Sequence, residues 1–193
     1  IIVFVDADND GTVEWLESVK DEYNLKYIVN DTDELYGIGR AYDKCVDEST
    51  TDIFMIFHAD MMLGKNADLE AFKYLDKKKV VCATRIEPPL HPDGPEKIIS
   101  PLGFEPEEFD EEKFNKDVEL YSKDEFTEGV FAPWAMYKED FFDVNGHDQL
   151  FIPQSKEDSD IFNRFYLNGY QFRQIWDGFV SVSYTHLTLP TNA

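Results

Sequence analysis

The stretch Asp52-Ile-Phe-Met-Ile-Phe57, followed directly by His58-Ala-Asp60, decides the predicted fold of this chain. The run is short and rich in aliphatic and aromatic side chains, which is typical of a strand buried on both faces of a parallel sheet. An acidic residue just past such a strand lies at its carboxyl end, where open α/β sheets bind their ligands. The segment is therefore a candidate ligand site, and the alternative is a polar strand end that turns into solvent.

Asp60 and His58 are the candidate metal ligands in this segment. Mg²⁺ and Mn²⁺ prefer oxygen ligands and usually share them with phosphates, so a carboxylate at a strand end is well placed to hold such a cation against a diphosphate. Imidazole binds Mn²⁺ but suits Mg²⁺ poorly. The predicted cofactor is a divalent metal, Mn²⁺ or Mg²⁺, with Asp60 as the principal ligand.

Strands and helices alternate through the first part of the chain. Apolar runs predict strands at residues 1–5, 26–30, 52–57 and 80–84. Between the strands, apolar side chains recur every three to four positions, which predicts helices that begin near Thr12, Asp31 and Asn66, with Thr12 and Asn66 as caps. The apolar stripe of the third helix consists of Leu69, Phe72 and Leu75. The βαβαβαβ order implies an α/β fold with a parallel sheet and right-handed crossovers.

The composition changes after Arg85. The proline-rich residues 87–95 cannot continue a helix or a central strand. Residues 104–128 are acidic with regularly spaced Phe, Leu and Tyr, which predicts a solvent-facing helix or loop packed over the sheet. Residues 129–137 read as a strand interrupted at Pro133.

Charge and composition limit the class of function. At 193 residues with 42% hydrophobic content, the chain is long enough for one folded domain with a substantial core. A net charge of −22 argues against a nucleic-acid partner. The same charge repels a nucleotide diphosphate unless a divalent metal neutralises the site, although solubility alone also explains an acidic surface.

Cysteine usage and hydropathy indicate the compartment. Cys45 and Cys82 lie in apolar segments without metal-type spacing, which predicts two buried thiols in a reducing environment. No apolar window approaches a membrane span, and no secretion signal opens the chain. A cytoplasmic protein without a transmembrane segment is the prediction.

Further acidic and glycine-containing segments occur in a characteristic order. The first strand is followed by Asp6-Ala-Asp8-Asn-Asp10-Gly11, and the predicted strand at residues 52–57 is preceded by Gly37-Ile-Gly39-Arg40. Gly146-His-Asp148 and Glu157-Asp158-Ser-Asp160 come late, with Arg164 and Gly169-Tyr170 behind them. In this order and spacing, together with His58-Ala-Asp60, the chain resembles a family 2 glycosyltransferase of the GT-A fold over nearly its whole length. The resemblance implies a Rossmann-like, mostly parallel sheet flanked by helices.

The resemblance also implies an activity and a set of partners. The activity is the metal-dependent, inverting transfer of a hexosyl group from a nucleotide diphosphate, with a UDP-sugar favoured, to a hydroxyl of an unknown glycan, lipid or protein acceptor. His58-Ala-Asp60 takes the place of the D-x-D motif that holds the metal. Asp6 and Asp8 take the places that contact the nucleotide.

The remaining implied site residues lie in the second half of the chain. Asp158 is the implied catalytic base, and Glu157 is the alternative base. Trp134, His147 and Asp148 take the places near the donor and acceptor sugars. A second metal ligand from a C-terminal His would be His186, whereas His91 and His147 are expected at the surface or the acceptor site.

Each of these residues also has a purely structural interpretation. Asp158 and Glu157 fit the first turn of a helix capped by Ser155, where acidic residues are ordinary capping chemistry and where the helix N-terminus favours an ionised base. Asp8-Asn-Asp10-Gly11 fits a simple turn. Trp134 fits a plain core position.

The family pattern also bears on the two ends of the chain. Ile1 already lies within a predicted strand that corresponds to the second strand of the family, so we expect a domain over residues 1–182 that lacks its first strand and helix. Residues 183–193 resemble translated adapter sequence that recurs at the ends of metagenomic gene predictions, and we expect them to be non-native.

Two other functions remain open from the sequence. A nucleotidyltransferase on a similar sheet would carry a glycine-rich basic loop after its first strand. A non-catalytic nucleotide- or carbohydrate-binding domain would keep the fold, and His58 in place of an acid is compatible with it.

Overall fold

The computed structural model describes residues 1–6, 10–89, 94, 97–103, 106–151 and 156–182. The chain divides into two compact units. Unit 1 consists of Ile1–Phe54 and Tyr137–Gly169, and unit 2 consists of Met55–Met136 and Tyr170–Ala193. The expected non-native tail at 183–193 lies outside the described residues.

Strands and helices alternate as far as the fifth strand, with a short additional strand at 61–63. The strands are β1 (Ile2–Val5), β2 (Lys26–Val29), β3 (Ile53–Ile56), β4 (Met61–Leu63), β5 (Lys79–Glu87), β6 (Lys97–Ile99), β7 (Phe126–Thr127), β8 (Trp134–Tyr137) and β9 (Gln171–Val182). The α-helices are α1 (Thr12–Val19), α2 (Ile38–Glu48), α3 (Ala67–Tyr74), α4 (Glu111–Tyr121), α5 (Lys138–Asp143) and α6 (Glu157–Leu167). Short 3₁₀ turns occur at Pro106–Glu108 and Gln149–Phe151.

In unit 1, β1 and β2 form a parallel pair that runs in register from Ile2 opposite Lys26 to Val5 opposite Val29. Helix α2 packs against β1 and also contacts α6. Phe141 is fully buried and meets Phe54 edge to face, with ring centroids 5.2 Å apart. Such aromatic pairs add to the burial of apolar area that stabilises the core.

In unit 2, the sheet has the strand order β3-β8-β5-β9-β4, with β6 beside β5 and β7 beside β9. β5 runs parallel to β9 and β6 and antiparallel to β8, while β4 and β7 run antiparallel to β9. The sheet is therefore mixed, since three of the pairs with a described register are antiparallel. The continuous apolar run at the start of β5 is fully buried, as expected of a central strand covered on both faces.

β9 contains a bulge that reshapes one side of this sheet. Ala83 pairs with Ile175, but the next residue, Thr84, pairs with Phe179, so residues 176–178 have no partners on β5. The Thr84 hydroxyl donates to the Ile175 carbonyl at 2.7 Å and accepts from Gln174 Nε2 at 2.9 Å. The interrupted ladder leaves buried polar groups without main-chain partners, and these side-chain bonds satisfy them.

Helix α3 packs on the sheet through small residues, contrary to the predicted stripe. Ala67 and Ala71 are buried, whereas Leu69 and Phe72 are 53% and 43% exposed. A side-chain carbon added at Gly178 in the bulge would lie 3.1 Å from the Ala67 carbonyl oxygen, so the helix and β9 approach closely. Only the alanine face of the helix fits this approach, so Leu69 and Phe72 face outward, whereas Leu75 packs against the buried cluster of Ala71, Val81 and Ile175.

Two predicted helix starts also differ from the structure. α2 begins at Ile38 rather than near Asp31, because Asn30 and Thr32 donate side-chain bonds to the Glu34 carbonyl and hold the preceding segment as a loop. Thr12 is the first residue of α1 rather than its cap, because its N–H and hydroxyl both donate to Asp10 Oδ1.

The acidic stretch after residue 104 forms a helix over the sheet, as predicted. Asp110 caps α4 by accepting from the Lys113 N–H at 2.9 Å. Phe114 of this helix packs into a buried cluster with Ile86, Leu102 and Phe179. In the part of the chain that the structure describes, no helix is long and apolar enough to cross a bilayer.

The β9 bulge places Asp177 in a poorly solvated acidic cluster. Tyr74 Oη donates to Asp177 at 3.2 Å and to Asp124 at 2.9 Å, while Asp177 Oδ1 is buried without a hydrogen-bond partner among the described residues. Burial raises the pKa of the Asp177 carboxyl, and the neighbouring Glu70 carboxylate raises it further. Ionisation of Asp177 therefore costs the folded state free energy.

We expect Asp177→Asn to stabilise the protein near neutral pH. Because the pKa of Asp177 is higher in the folded state, its contribution to stability is fully present below the unfolded value of 3.8 and is lost as pH rises through the folded pKa. The Tm of Asp177→Asn should exceed that of the wild type by roughly 2 °C at pH 7, and the difference should vanish near pH 3.

Asp124→Asn is the matched control for thermal melts across this pH range. It removes the exposed partner of the same Tyr74 hydroxyl and should leave the pH dependence unchanged. A Tm difference between Asp177→Asn and the wild type that is equal at pH 3 and pH 7 would contradict a raised pKa for Asp177.

Candidate active site

Asp60 lies at the carboxyl edge of the unit 2 sheet, as the sequence predicts. The chain leaves β3 and turns, with the Met61 N–H donating to the His58 carbonyl at 3.2 Å, before β4 begins. Met61 pairs with Val182 at the end of β9, and Ser181 pairs with Ile86 near the end of β5. Asp60 therefore lies where the parallel strands β5 and β9 both end, which is the ligand-binding edge of an α/β sheet.

The donor set at this edge suits a metal that is shared with a substrate. Asp60 and His58 are both half-buried. Among the described residues, no group of three or more His, Cys, Asp or Glu side chains is arranged to hold a metal ion. Mg²⁺ commonly binds through only one or two carboxylates together with waters and substrate phosphates. The Asp60 carboxylate fits such a site, and the imidazole of His58 is compatible with Mn²⁺ there.

A buried charged triad lies at the same edge, and sequence reasoning missed it. Glu87, the last residue of β5, has a carboxylate 3.2 Å from Arg85 Nε and 3.1 Å from Lys97 Nζ. Arg85 and Lys97 face each other across the β5–β6 pair. Two cations thus share one buried carboxylate, so this part of an otherwise acidic protein is suited to an anion. The sequence signal that could have revealed this triad is the alternation Arg85-Ile-Glu87, which follows an apolar run.

Asp6, a predicted nucleotide contact, organises the start of α2. Its Oδ1 accepts from the Tyr36 N–H at 2.6 Å and from Asn30 Nδ2 at 2.9 Å, and its Oδ2 accepts from the Gly37 N–H at 2.9 Å. Gly37 has a φ of 85°, a conformation that favours glycine. Asp6 therefore has a structural role, and Asp8, the second predicted contact, lies outside the described residues.

Helix α6 carries the predicted catalytic carboxylates in its first turn. Lys156, rather than the predicted Ser155, directly precedes the helix, and Ser155 lies outside the described residues. Glu157 is only 7% exposed, whereas Asp158 is half-buried. Asp158 is thus the more accessible of the two candidate bases.

The turn at 144–149 is held from two helices of unit 1. Arg164 of α6 donates from Nη1 to the carbonyls of Val144 and Gly146, both at 2.7 Å, and its other nitrogens bind Asp160. Asp43 of α2 accepts from the main-chain N–H of His147 at 3.1 Å. Bonds to charged side chains are stronger than neutral ones, so this turn has a defined conformation.

His147 and Asp148 have different environments although they are neighbours. His147 is 3% exposed, so the expectation of a surface position is wrong. Its Nδ1 lies 2.7 Å from Asp43 Oδ1, and because a carboxylate only accepts, Nδ1 carries the proton. Asp148 is exposed, with Oδ1 accepting from the Leu150 N–H at 2.9 Å. Of the two, only Asp148 is available to a ligand.

The remaining predicted site residues are either buried or outside the described residues. Trp134 is 1% exposed within β8, which favours its interpretation as a core residue. His91 and His186 lie outside the described residues. Burial raises the pKa of Cys45 to about 11 and that of Cys82 to about 12, so both thiols are protonated at neutral pH and are poor nucleophiles.

The fold is similar to several solved glycosyltransferases. GalNAc-T7, solved with UDP, GalNAc and Mn²⁺, matches 95% of this chain and 37% of its own, with a TM-score of 0.71 and 14% identity. TarS 1–349 of S. aureus, solved with UDP, matches 94% of this chain and 51% of its own, with a TM-score of 0.64 and 15% identity.

The mannosyltransferase PcManGT from Pyrobaculum calidifontis, solved with GDP-Man and Mn²⁺, matches 97% of this chain and 48% of its own, with a TM-score of 0.62 and 15% identity. The chain thus spans about a third to a half of the length of these structures. At such identities the likeness shows the fold alone.

Sequence comparison identifies the family. No curated protein matches the chain. The sequence profile of the family described as Glycosyl transferase family 2 matches residues 1–144. Because this match covers well over half of the chain, and because the helix-flanked sheet agrees with the GT-A structures, the chain belongs to glycosyl transferase family 2.

Proposed function

We propose that the chain transfers a hexosyl group from a nucleotide diphosphate to an acceptor hydroxyl, with inversion at the anomeric carbon and with help from a divalent metal. The family match over residues 1–144 carries this proposal. The structures of similar fold that contain UDP with Mn²⁺, or GDP-Man with Mn²⁺, support a nucleotide-sugar donor and favour Mn²⁺. A UDP-sugar is our preferred donor, and the acceptor is a glycan, lipid or protein hydroxyl.

Asp60, with His58 beside it, is the proposed ligand pair for the metal. When bound, a divalent cation neutralises the diphosphate and stabilises it as a leaving group. The protein has a net charge of −22, so a bare diphosphate would meet repulsion over much of the surface. The strand-end position of Asp60 and the cations of Arg85 and Lys97 at the same edge support binding of an anion there.

Asp158 is the proposed catalytic base. The attacking hydroxyl must lose its proton as it bonds to the anomeric carbon, so a carboxylate within hydrogen-bond reach is required. Asp158 is half-buried in the first turn of α6, whereas Asp160 is bound to Arg164 and Glu157 is buried. Glu157 remains the alternative base.

The remaining contacts to substrate are assigned by accessibility. Asp148 is exposed, so we assign it to the sugar hydroxyls, which a carboxylate recognises by accepting hydrogen bonds. Asp6 lies at the end of β1 and still has acceptor capacity on its oxygens, so we retain it, with Asp8, as a nucleotide contact. Binding energy at these positions orients the donor for attack.

Metal removal should weaken donor binding. In calorimetric titrations of the full chain with UDP and with a panel of UDP- and GDP-sugars, affinity in Mn²⁺ should exceed affinity in EDTA by tenfold or more, equivalent to about 1.4 kcal/mol. Asp60→Ala should reproduce that loss in the presence of Mn²⁺.

Asp68→Ala is the charge-matched control for this titration. It removes one carboxylate from unit 2 at the start of α3 and should leave affinity unchanged. Equal affinities in Mn²⁺ and in EDTA would show that His58-Ala-Asp60 is only a strand end.

Asp158→Asn should abolish most turnover while leaving the fold intact. Asparagine keeps the shape of the side chain and its capping ability but cannot accept a proton, so kcat should fall by about 10²-fold or more. Donor affinity should stay close to that of the wild type, because the base contacts the acceptor rather than the nucleotide. Release of nucleoside diphosphate gives the rate.

Two further variants are needed to interpret this result. Glu111→Gln changes an exposed acidic residue in the first turn of α4 and should be neutral. Full activity in Asp158→Asn combined with loss in Glu157→Gln would move the role of base to Glu157.

A further inference from the structure

We propose that Asp43 of α2 is a positioning residue of the active site, and that its role is to fix the turn that presents Asp148. Asp43 itself contacts no substrate. The inference rests on the proposed function, in which Asp148 binds a sugar hydroxyl.

The residues on both sides of Asp148 are anchored to the same helix. The Asp43 carboxylate accepts from the main-chain N–H of His147 with both oxygens, at 3.1 Å each, and from its imidazole Nδ1 at 2.7 Å. On the other side of Asp148, the Gln149 side-chain oxygen accepts from Arg40 Nε. Arg40 and Asp43 lie three positions apart on α2 and therefore on the same face of the helix. Asp148 is thus exposed between two fixed neighbours.

The fit around the Asp43 anchor leaves little room for an alternative conformation. Gly146 has a φ of 63°, and a side-chain carbon added there would lie 2.8 Å from Asp43 Oδ2. A side-chain carbon added at Gly39 would lie 3.0 Å from His147 Cβ. The absence of side chains at these two glycines allows α2 and the turn to approach closely enough for the carboxylate to reach the main chain.

Burial makes this anchor costly to break. The His147 ring lies against Phe141 and Tyr42, with ring centroids 5.8 Å and 5.9 Å away, and the residue is almost fully shielded from water. If Asp43 no longer accepts from Nδ1, that buried N–H loses its partner, and leaving a buried donor unsatisfied is unfavourable. Loss of the carboxylate should therefore displace the turn rather than leave it in place.

A displaced turn changes the position of Asp148 without removing it. Misplacement of a substrate-orienting group by about 1 Å can lower a rate by up to about 10²-fold. A positioning role therefore predicts a lower kcat for each folded molecule, with unchanged affinity for the nucleotide part of the donor.

The test compares Asp43→Ala with Asp47→Ala in the full chain. Asp47 lies one helical turn further along α2 and is exposed. Asp43 and Asp47 both line an open groove of about 280 Å³. Replacement of Asp47 therefore removes the same charge from the same groove without touching the turn. Hydrogen exchange of the amides of residues 146–149, Kd for UDP with Mn²⁺, and kcat per folded molecule are measured for each. Arg40→Ala, which removes the anchor at Gln149, is the second variant if Asp43→Ala folds poorly.

We expect Asp43→Ala to accelerate exchange at residues 146–149 and to lower kcat by about tenfold or more, with the Kd for UDP unchanged and Asp47→Ala like the wild type. Unchanged exchange in Asp43→Ala, or faster exchange with kcat per folded molecule unchanged, would overturn the inference while leaving the proposed function in place. A wild-type protein that turns over no UDP- or GDP-sugar would overturn the proposed function and the positioning role with it.

Discussion

Carboxylates that accept main-chain N–H groups from distant segments organise unit 1. Asp6 does so for Tyr36 and Gly37 at the start of α2, and Asp43 does so for His147 more than a hundred positions further along the chain. A charged acceptor strengthens these bonds and satisfies amides that no helix or strand satisfies. The positions of the loops that carry the proposed ligand-binding residues depend on these contacts.

Other carboxylates lie at the ends of strands and helices. Asp60 and Asp158 are half-buried at a strand end and at a helix N-terminus, where a carboxylate can bind a cation or accept a proton. Glu87 instead holds two cations beside the end of β5. A net charge of −22 therefore does not describe the chemistry of any one site, because local pairing decides which carboxylates are available to a substrate.

The sequence predicted those features that depend on local pattern. Apolar runs located β1, β2, β3 and β5, and the strand-end position of Asp60 followed directly. The buried face of α3 was predicted wrongly, because a close approach to Gly178 favours Ala67 and Ala71 over the larger Leu69 and Phe72. The bond between Asp43 and His147 had no sequence signal, since neither residue type nor spacing reveals a contact between such distant positions.

The measurement that tests the central claim most directly is phosphorus NMR of two reactions with Mn²⁺. One contains a UDP-hexose, and the other contains UTP with a hexose 1-phosphate. A glycosyltransferase releases UDP from the first, as the hexosyl group passes to an acceptor hydroxyl or to water, and forms no pyrophosphate in the second. Pyrophosphate in the second reaction, with the UDP-hexose of the first left intact, would instead identify a nucleotidyltransferase and contradict the account.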